Sequence, residues 1–211
     1  MSDMQGGKAQ AIWQWAQENG RAMLRLDYSG CGESEGDFAD GTFEQWRDDV
    51  LALVDAVVTG PLILVGSSMG GWLMLLVAQA LGSRVQAMVG IAAAPDFTDW
   101  GFSDEEKAVI ADRGVLFQQS DYGYDDMPTY RTFWQSGEAN RQLVGPITID
   151  CPVRLLHGQS DRDVPWQISV KLAAALRSSD VQVLLVKDGD HRLSRDADIA
   201  LLIQTMAGLF A

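Results

Sequence analysis

Residues 60–81 constrain the fold of this chain more than any other stretch. Gly60-Pro61 interrupts the chain, and the uninterrupted apolar run 62–65 that follows is typical of a buried central strand. A long apolar helix, predicted over Met69–Leu81, begins almost immediately after that run. A strand that passes directly into a helix is the unit from which a parallel sheet with helices on its faces is built.

Short β-branched runs alternate with amphipathic segments along most of the remaining chain. Further strands are predicted over residues 22–28, 85–91, 153–156 and 181–187. Further helices are predicted over residues 9–17, 43–58, 166–177 and 197–210. Because the chain opens on a helix, we expect an α/β fold with a mostly parallel sheet, helices on both faces, and one or more N-terminal strands lacking.

The alternation stops between residues 95 and 149, where polar loops and many aromatic side chains replace it. We interpret 96–149 as a lid-like insertion over one edge of the sheet, within a single domain of residues 1–211. The aromatic residues of the insertion either line an acyl pocket or pack the insertion onto the body of the domain. They are Phe97, Trp100, Phe102, Phe117, Tyr122, Tyr124, Tyr130, Phe133 and Trp134.

The charge balance excludes several classes of partner. With 16 basic and 29 acidic side chains, the net charge of −13 argues against nucleic acids, whose recognition relies on basic patches. It also argues against docking on anionic membranes, which attract Lys and Arg. No apolar run approaches the roughly 20 residues needed to cross a bilayer. We therefore expect neither a nucleic-acid nor a membrane partner.

Few residues are available for metal or redox chemistry. Cys31 and Cys151 lie far apart and in unrelated contexts, and only two histidines, His157 and His191, are present. This pattern matches no zinc-site or redox spacing, so we expect no metal and no cofactor. No apolar segment typical of a secretory signal follows Lys8, and we therefore expect a cytoplasmic protein.

The turn between the predicted strand and helix carries a candidate nucleophile. Residues 66–70 match Gly-x-Ser-x-Gly, a motif in which the serine, here Ser68, occupies a sharp and strained strand-to-helix turn. The helix that follows directs its first amides toward the serine, so the backbone N–H of Met69 is a candidate oxyanion donor. The alternative is a glycine-rich turn without a nucleophile. The strand and the helix predicted on either side of the turn favour the nucleophile over this alternative.

A serine nucleophile requires a base, and the two histidines have different settings. His191 lies in the loop directly after the last predicted strand, from which a side chain reaches across the carboxyl ends of the strands. His157 ends the preceding strand and is followed by Gly158. We therefore predict His191 as the base and His157 as a local structural residue.

The carboxylate that orients the base is expected in the loop after the penultimate strand. This loop contains Asp161 and Asp163, separated by Arg162. The spacing from the end of the strand favours Asp161. The other aspartate is then a turn-capping carboxylate or a surface charge paired with Arg162.

Four segments together resemble the α/β-hydrolase superfamily, namely residues 26–34, 66–74, 154–158 and 190–192. Within it they resemble the branch of the mitochondrial palmitoyl-protein thioesterase and acyl-glucuronide esterase and its bacterial relatives. The resemblance covers nearly the whole chain and is weakest over 96–149. It implies an α/β-hydrolase fold and a catalytic triad of Ser68, Asp161 and His191, in agreement with the spacing.

One departure from that family concerns the oxyanion site. In the family, a Ser-Asp-Met segment follows a strand whose terminal turn supplies one oxyanion amide, whereas here Ser2-Asp3-Met4 opens the chain. Met69 is therefore the one donor assigned, and the second donor is left unknown. An unpaired sheet edge also predicts a homodimer or higher homo-oligomer.

The resemblance implies a serine carboxylesterase that hydrolyses a small-molecule ester or acyl thioester through an acyl-enzyme on Ser68. The alternative is a catalytically weakened hydrolase-fold scaffold that serves in binding or dimerisation.

Overall fold

A parallel four-stranded sheet forms the centre of the molecule. The computed structural model describes residues 4–119 and 126–210. The sheet strands are β1 (Leu62–Ser67), β2 (Val85–Ile91), β5 (Val153–Gly158) and β6 (Val181–Val186), in the order β1-β2-β5-β6. A separate antiparallel hairpin joins β3 (Val115–Gln118) to β4 (Met127–Tyr130).

Helices connect these strands, as the alternation in the sequence predicts. They are α1 (Gly7–Glu18), α2 (Phe43–Val57), α3 (Met69–Leu81), α4 (Phe97–Trp100), α5 (Asp104–Arg113), α6 (Arg131–Ala139), α7 (Gln167–Ala175) and α8 (Asp196–Ala207). Helix α2 begins after Thr42, whose hydroxyl accepts a hydrogen bond from the N–H of Gln45. Among the described residues, no helix is both long and apolar enough to span a membrane.

Helices cover both faces of the sheet. Successive residues of a strand point to opposite faces, and Met88 and Val89 of β2 show which helices lie on each. Met88 belongs to a cluster with Leu75 of α3 and Leu172 of α7. Val89 belongs to a second cluster with residues of α1 and α8, among them Leu202. The predicted α/β architecture, with a parallel sheet between two helical layers, is confirmed.

Two predictions about strands are wrong. Residues 21–28 form neither a helix nor a strand, because a strand requires a neighbouring backbone and no described strand pairs with them. Strand β1, predicted as central, is an edge strand of the sheet and pairs only with β2 among the described strands. Its Val65 is 37% exposed. The apolar run in the sequence does not distinguish an edge strand from a central one.

The segment between β2 and β5 has its own secondary structure, from α4 to α6, and it is attached to the body by partly buried polar contacts. Glu44, at the start of α2, accepts hydrogen bonds from Ser136 of α6 and from Asn140, which caps the end of α6. The indole N–H of Trp72 in α3 donates to the carbonyl of Asn140 over 3.1 Å. These bonds hold α6 against α2 and α3, which places the segment beside the end of β1.

Candidate active site

Ser68 has an uncommon backbone conformation between β1 and α3. Its φ of 54° and ψ of −123° lie in a region that residues with a side chain rarely adopt. Its N–H donates to the carbonyl of Ile91 at the end of β2 over 2.9 Å, which holds the strained turn in place. The predicted sharp turn is therefore present, and it directs the Ser68 hydroxyl away from the sheet.

Close packing at this turn requires glycine at two positions. A Cβ on Gly66 would lie 2.4 Å from the carbonyl oxygen of Gly70, and a Cβ on Gly71 would lie 2.5 Å from the Cβ of Ala93. Gly70 differs, since the nearest atom to its Cβ would be the Tyr28 hydroxyl at 3.9 Å. Of the two glycines that follow Ser68, Gly71 is thus the one that packing requires.

The structure brings together the three side chains that the sequence singles out. They come from different loops at the carboxyl ends of β1, β5 and β6. His191 Nε2 lies 3.0 Å from Ser68 Oγ, and His191 Nδ1 lies 2.8 Å from Asp161 Oδ2. The side chain of Asp161 is wholly buried, whereas that of His191 is 17% exposed.

Asp161 is held as a carboxylate. Burial by itself raises the pKa of Asp161, but the hydrogen bonds from His157, His191 and the N–H of Val164 outweigh burial and hold this pKa well below its usual range. An ionised Asp161 accepts a hydrogen bond from the N–H at His191 Nδ1. His191 Nε2 is then free to accept the hydroxyl proton of Ser68.

Asp163, the other carboxylate of this loop, has a different setting. It is exposed, and its backbone N–H donates to Asp161 Oδ1 over 2.9 Å. Asp161, Asp163 and His191 also form a group of metal-binding residue types whose ligand atoms lie within 4.8 Å of one another. Both oxygens of Asp161 already accept hydrogen bonds from the surrounding protein.

The start of α3 supplies the candidate oxyanion donor. Met69 is the first residue of the helix, where a backbone N–H has no acceptor within the helix itself. Met69 also lines the cavity beside Ser68. Ser2 and Asp3 lie outside the described residues, and the N–H of Met4 donates to Asp27 over 2.8 Å. The second oxyanion donor stays unassigned.

An apolar cavity of about 280 Å³ opens at Ser68 and His191. No described residue that lines it is Lys or Arg. Most of the wall comes from the segment between β2 and β5. The lining residues are Phe38, Ser68, Met69, Ala94, Phe97, Trp100, Gly101, Phe102, Gln118, Met127, Pro128, Thr129, Tyr130, Phe133, Asp163, Val164 and His191.

Some aromatic residues of this segment line the cavity, and some pack the segment onto the body of the domain, so both interpretations of the sequence apply. Five of them line the cavity: Phe97, Trp100, Phe102, Tyr130 and Phe133. Phe97 and Phe133 also pack onto the body, with ring centroids 5.5 Å from Trp72 and 5.1 Å from Phe43, respectively. Phe117 is 59% exposed. Tyr122 and Tyr124 lie outside the described residues.

Sequence reasoning missed some of the cavity wall and one contact of the acid. Phe38, Met127 and Pro128 line the cavity but belong to no motif, so that only the tertiary structure identifies them. His157 is fully buried, and its Nε2 lies 3.1 Å from Asp161 Oδ2. The four-residue separation of His157 and Asp161 is the one signal in the sequence that could have revealed this contact.

Comparisons with known proteins extend over nearly the whole chain. The mitochondrial palmitoyl-protein thioesterase ABHD10 of Mus musculus is 44% identical over 215 residues, covering 99% of this chain and 72% of the mouse protein. The Homo sapiens protein of the same name is 41% identical over 213 residues, covering 99% and 70%, respectively. The matched ranges therefore include both the motif regions and the segment between them.

Two solved structures superpose closely on the chain. A putative hydrolase from Agrobacterium vitis S4 is 40% identical with a TM-score of 0.94, covering all of this chain and 84% of that one. The alpha/beta hydrolase domain-containing protein 10 from mouse is 44% identical with a TM-score of 0.91, covering 99% and 85%.

The expectation of a cytoplasmic protein is wrong. The matched mouse and human relatives are named as mitochondrial proteins. That expectation relied on the lack of a secretory signal, which is only one of the signals that direct proteins to compartments.

The family profile completes these comparisons. The profile of the Alpha/beta hydrolase family matches residues 6–205. This match agrees with the parallel sheet, with the turn at Ser68 and with relatives more than 40% identical along 99% of the chain. The chain is therefore a hydrolase, and it belongs to the alpha/beta hydrolase family.

Proposed function

We propose that this protein is a serine carboxylesterase that cleaves ester or thioester bonds through an acyl-enzyme on Ser68. The observation that carries the proposal is the continuous contact from Ser68 Oγ through His191 to Asp161, over 3.0 and 2.8 Å. A hydroxyl is a weak nucleophile until an adjacent base accepts its proton, and the base in turn needs a carboxylate to orient it.

The first half of the reaction forms the acyl-enzyme. Ser68 Oγ attacks the acyl carbonyl carbon while His191 Nε2 takes the hydroxyl proton. The carbonyl oxygen becomes an oxyanion, which accepts a hydrogen bond from the N–H of Met69. As the tetrahedral intermediate collapses, His191 returns its proton to the leaving alcohol or thiol. Asp161 stays ionised throughout and stabilises the imidazolium.

The second half releases the acid. A water molecule attacks the acyl carbon while His191 Nε2 takes one of the water protons. Collapse of this second tetrahedral intermediate breaks the bond to Ser68 Oγ, and His191 returns the proton to that oxygen. The products are a carboxylic acid and the free serine.

The lining of the cavity favours a substrate whose bound acyl group is uncharged and apolar. Its wall is mostly aromatic and aliphatic, and no described lining residue is a Lys or Arg that would pair with an acidic substrate. The relatives named palmitoyl-protein thioesterase support a thioester as the bond that is cleaved. We assign residues 96–149 as a lid within the single domain, because most of the cavity wall belongs to this segment.

We also propose that the protein self-associates through the open edge of β1. The backbone of β1 pairs only with β2 among the described strands, and Val65 on this strand is 37% exposed. Leu24, in the segment 21–28 that forms neither helix nor strand, is 39% exposed. An unpaired strand edge with apolar side chains favours pairing with a second chain.

Hydrolysis assays with matched variants test the proposed reaction. We expect the wild type to hydrolyse p-nitrophenyl esters and acyl thioesters in a series of chain lengths, with poor turnover of acyl groups that carry a charge. A fluorophosphonate probe should label Ser68, and Ser68→Ala should be neither active nor labelled. Ser67→Ala is the matched control and should be labelled like the wild type. Labelling of Ser68→Ala, or turnover by it, contradicts the proposal.

A further inference from the structure

His157 lies deep in the protein behind the triad. It ends β5, its side chain is 0% exposed, and its ring is hydrogen-bonded on both sides. Nδ1 lies 2.7 Å from Ser169 Oγ in α7, and Nε2 lies 3.0 Å from the carbonyl oxygen of Val164. The same Nε2 is 3.1 Å from Asp161 Oδ2.

These partners determine where the proton of His157 resides. A backbone carbonyl and an ionised carboxylate can only accept hydrogen bonds, and both face Nε2. Nε2 therefore carries the proton. In the neutral ring Nδ1 then accepts a hydrogen bond from the hydroxyl of Ser169, which is itself fully buried.

The N–H of His157 acts on the turn that carries Asp161. Val164 accepts from His157 through its carbonyl and donates through its N–H to Asp161 Oδ1 over 2.9 Å. Oδ2, the oxygen that faces His191 Nδ1, is the oxygen that also lies close to His157 Nε2. Both oxygens of Asp161 are thus located by contacts that originate at His157.

We propose that His157 is a positioning residue of the triad, which fixes Asp161 Oδ2 opposite His191 through its Nε2–H and is itself held by Ser169. The proposal rests on the function proposed above, because it requires Asp161 to orient the catalytic base. The sequence assigned His157 only a local structural role. The two roles differ in what the residue does to turnover once the protein is folded.

Three variants separate these roles. His157→Leu fills the space of the ring with an apolar side chain but removes the N–H at Nε2. His157→Gln retains an amide N–H close to the position of Nε2. Leu172→Val is the matched structural control, since Leu172 lies in α7 like Ser169 and is equally buried but belongs to the apolar core. Steady-state kinetics on a p-nitrophenyl ester give kcat and KM, with kcat expressed per site titrated by the fluorophosphonate.

We expect His157→Leu to lower kcat about 10- to 100-fold, the size of loss found when the partner that orients a metal ligand is removed, because His157 holds Asp161 in a comparable way. KM should stay unchanged, because His157 does not line the cavity. His157→Gln should recover most of the lost kcat. Leu172→Val should lower the melting temperature and leave kcat as it is.

The proposal is overturned if folded His157→Leu retains the wild-type kcat, or if Leu172→Val loses as much kcat as His157→Leu does. If His157→Leu does not fold, Ser169→Ala replaces it as the test. We expect Ser169→Ala to lower kcat by a smaller factor at constant KM. An unchanged kcat in Ser169→Ala would overturn the proposal. Activity of Ser68→Ala would instead overturn the proposed function itself, so the two failures are distinguishable.

Discussion

Asp161 and Asp163 lie in the same loop, but their side chains differ in burial and in their contacts with the catalytic base. The side chain of Asp161 is wholly buried, faces His191 and receives hydrogen bonds on both oxygens. Asp163 is exposed at the mouth of the cavity. At the scale of single residues, burial and hydrogen bonding thus assign different properties to identical side chains.

The triad predicts a non-additive loss of activity. Ser68→Ala and His191→Ala should each lower kcat by about 10⁶, and the double variant should be little worse, because the residues act as one unit. Initial rates of p-nitrophenyl ester hydrolysis by purified, folded variants measure this. Wild-type rates in His191→Ala would disprove the role of His191.

Amide substitution separates the two aspartates. Asp161→Asn should lower kcat by about 10⁴, since an amide at this position favours the wrong tautomer of His191. Asp163→Asn is the matched control and should cost far less, because His191 Nδ1 faces Asp161 Oδ2 and the Asp163 residue is exposed. The assignment of the acid is wrong if kinetic assays give the reverse order.

The depressed pKa of Asp161 also predicts a pH dependence of stability. The folded-state pKa of Asp161 lies below the usual value of 3.8. The stabilisation of the folded protein by the ionised Asp161 carboxylate is therefore complete at pH values above 3.8. It declines as the pH falls below 3.8, since the unfolded chain then takes up a proton that the folded carboxylate does not. Urea unfolding should show the free-energy difference between wild type and Asp161→Asn shrinking from pH 6 to pH 3. A constant difference would contradict the linkage.

At the scale of elements, the strand-turn-helix unit from β1 to α3 determines where the nucleophile points. The turn is narrow because the start of α3 lies directly against β1 and against Ala93, with no room for side chains at Gly66 and Gly71. The segment from α4 to α6 then covers the serine and provides most of the cavity wall. The nucleophile and most of the cavity wall therefore come from one turn and one covering segment, whereas Asp161 and His191 come from the loops after β5 and β6.

The packing of this turn predicts that two adjacent glycines respond differently to alanine. Gly71→Ala should lower the free energy of unfolding by about 1–3 kcal/mol, because its Cβ would overlap Ala93. Gly70→Ala should be neutral or stabilising by up to about 1 kcal/mol, since the space is open and Ala favours the helix. Urea denaturation of the two variants compares them directly. Equal losses would contradict this account of the turn.

At the scale of the whole molecule, the sheet is covered on both faces, and its two edge strands, β1 and β6, each pair with a single described strand. Helices α1 and α8 cover one face, and α3 and α7 cover the other. Strand β1 has a described partner only on the side of β2. The net charge of −13 opposes self-association, but salt screens this repulsion beyond about 8 Å at physiological ionic strength.

The open edge predicts concentration-dependent self-association. Sedimentation velocity across a micromolar range should show a homodimer or higher oligomer at physiological salt. Val65→Lys should shift the equilibrium to monomer, because an edge lysine opposes strand pairing. Val144→Lys, at a position 72% exposed, is the control and should behave like the wild type. A wild type that stays monomeric throughout disproves the proposal.

The sequence by itself determined the features that depend on local patterns. Strand β2 and helix α3 have the predicted bounds, because predominantly apolar runs with turn residues beside them mark both. Ser68 is recognisable since a strained strand-to-helix turn requires small neighbours at fixed spacing. His191 and Asp161 follow from their places after the last strands, and the fold brings such loops to one end of a parallel sheet.

Only the tertiary structure decided the features that depend on contacts between distant residues. Residues 22–28 have the composition of a strand but form none, since pairing requires a neighbour that their own sequence does not specify. The same holds for the edge position of β1, for Phe38 in the cavity wall and for the contact of His157 with Asp161. Local patterns reflect the conformation of a segment, whereas these features depend on which other segment lies beside it.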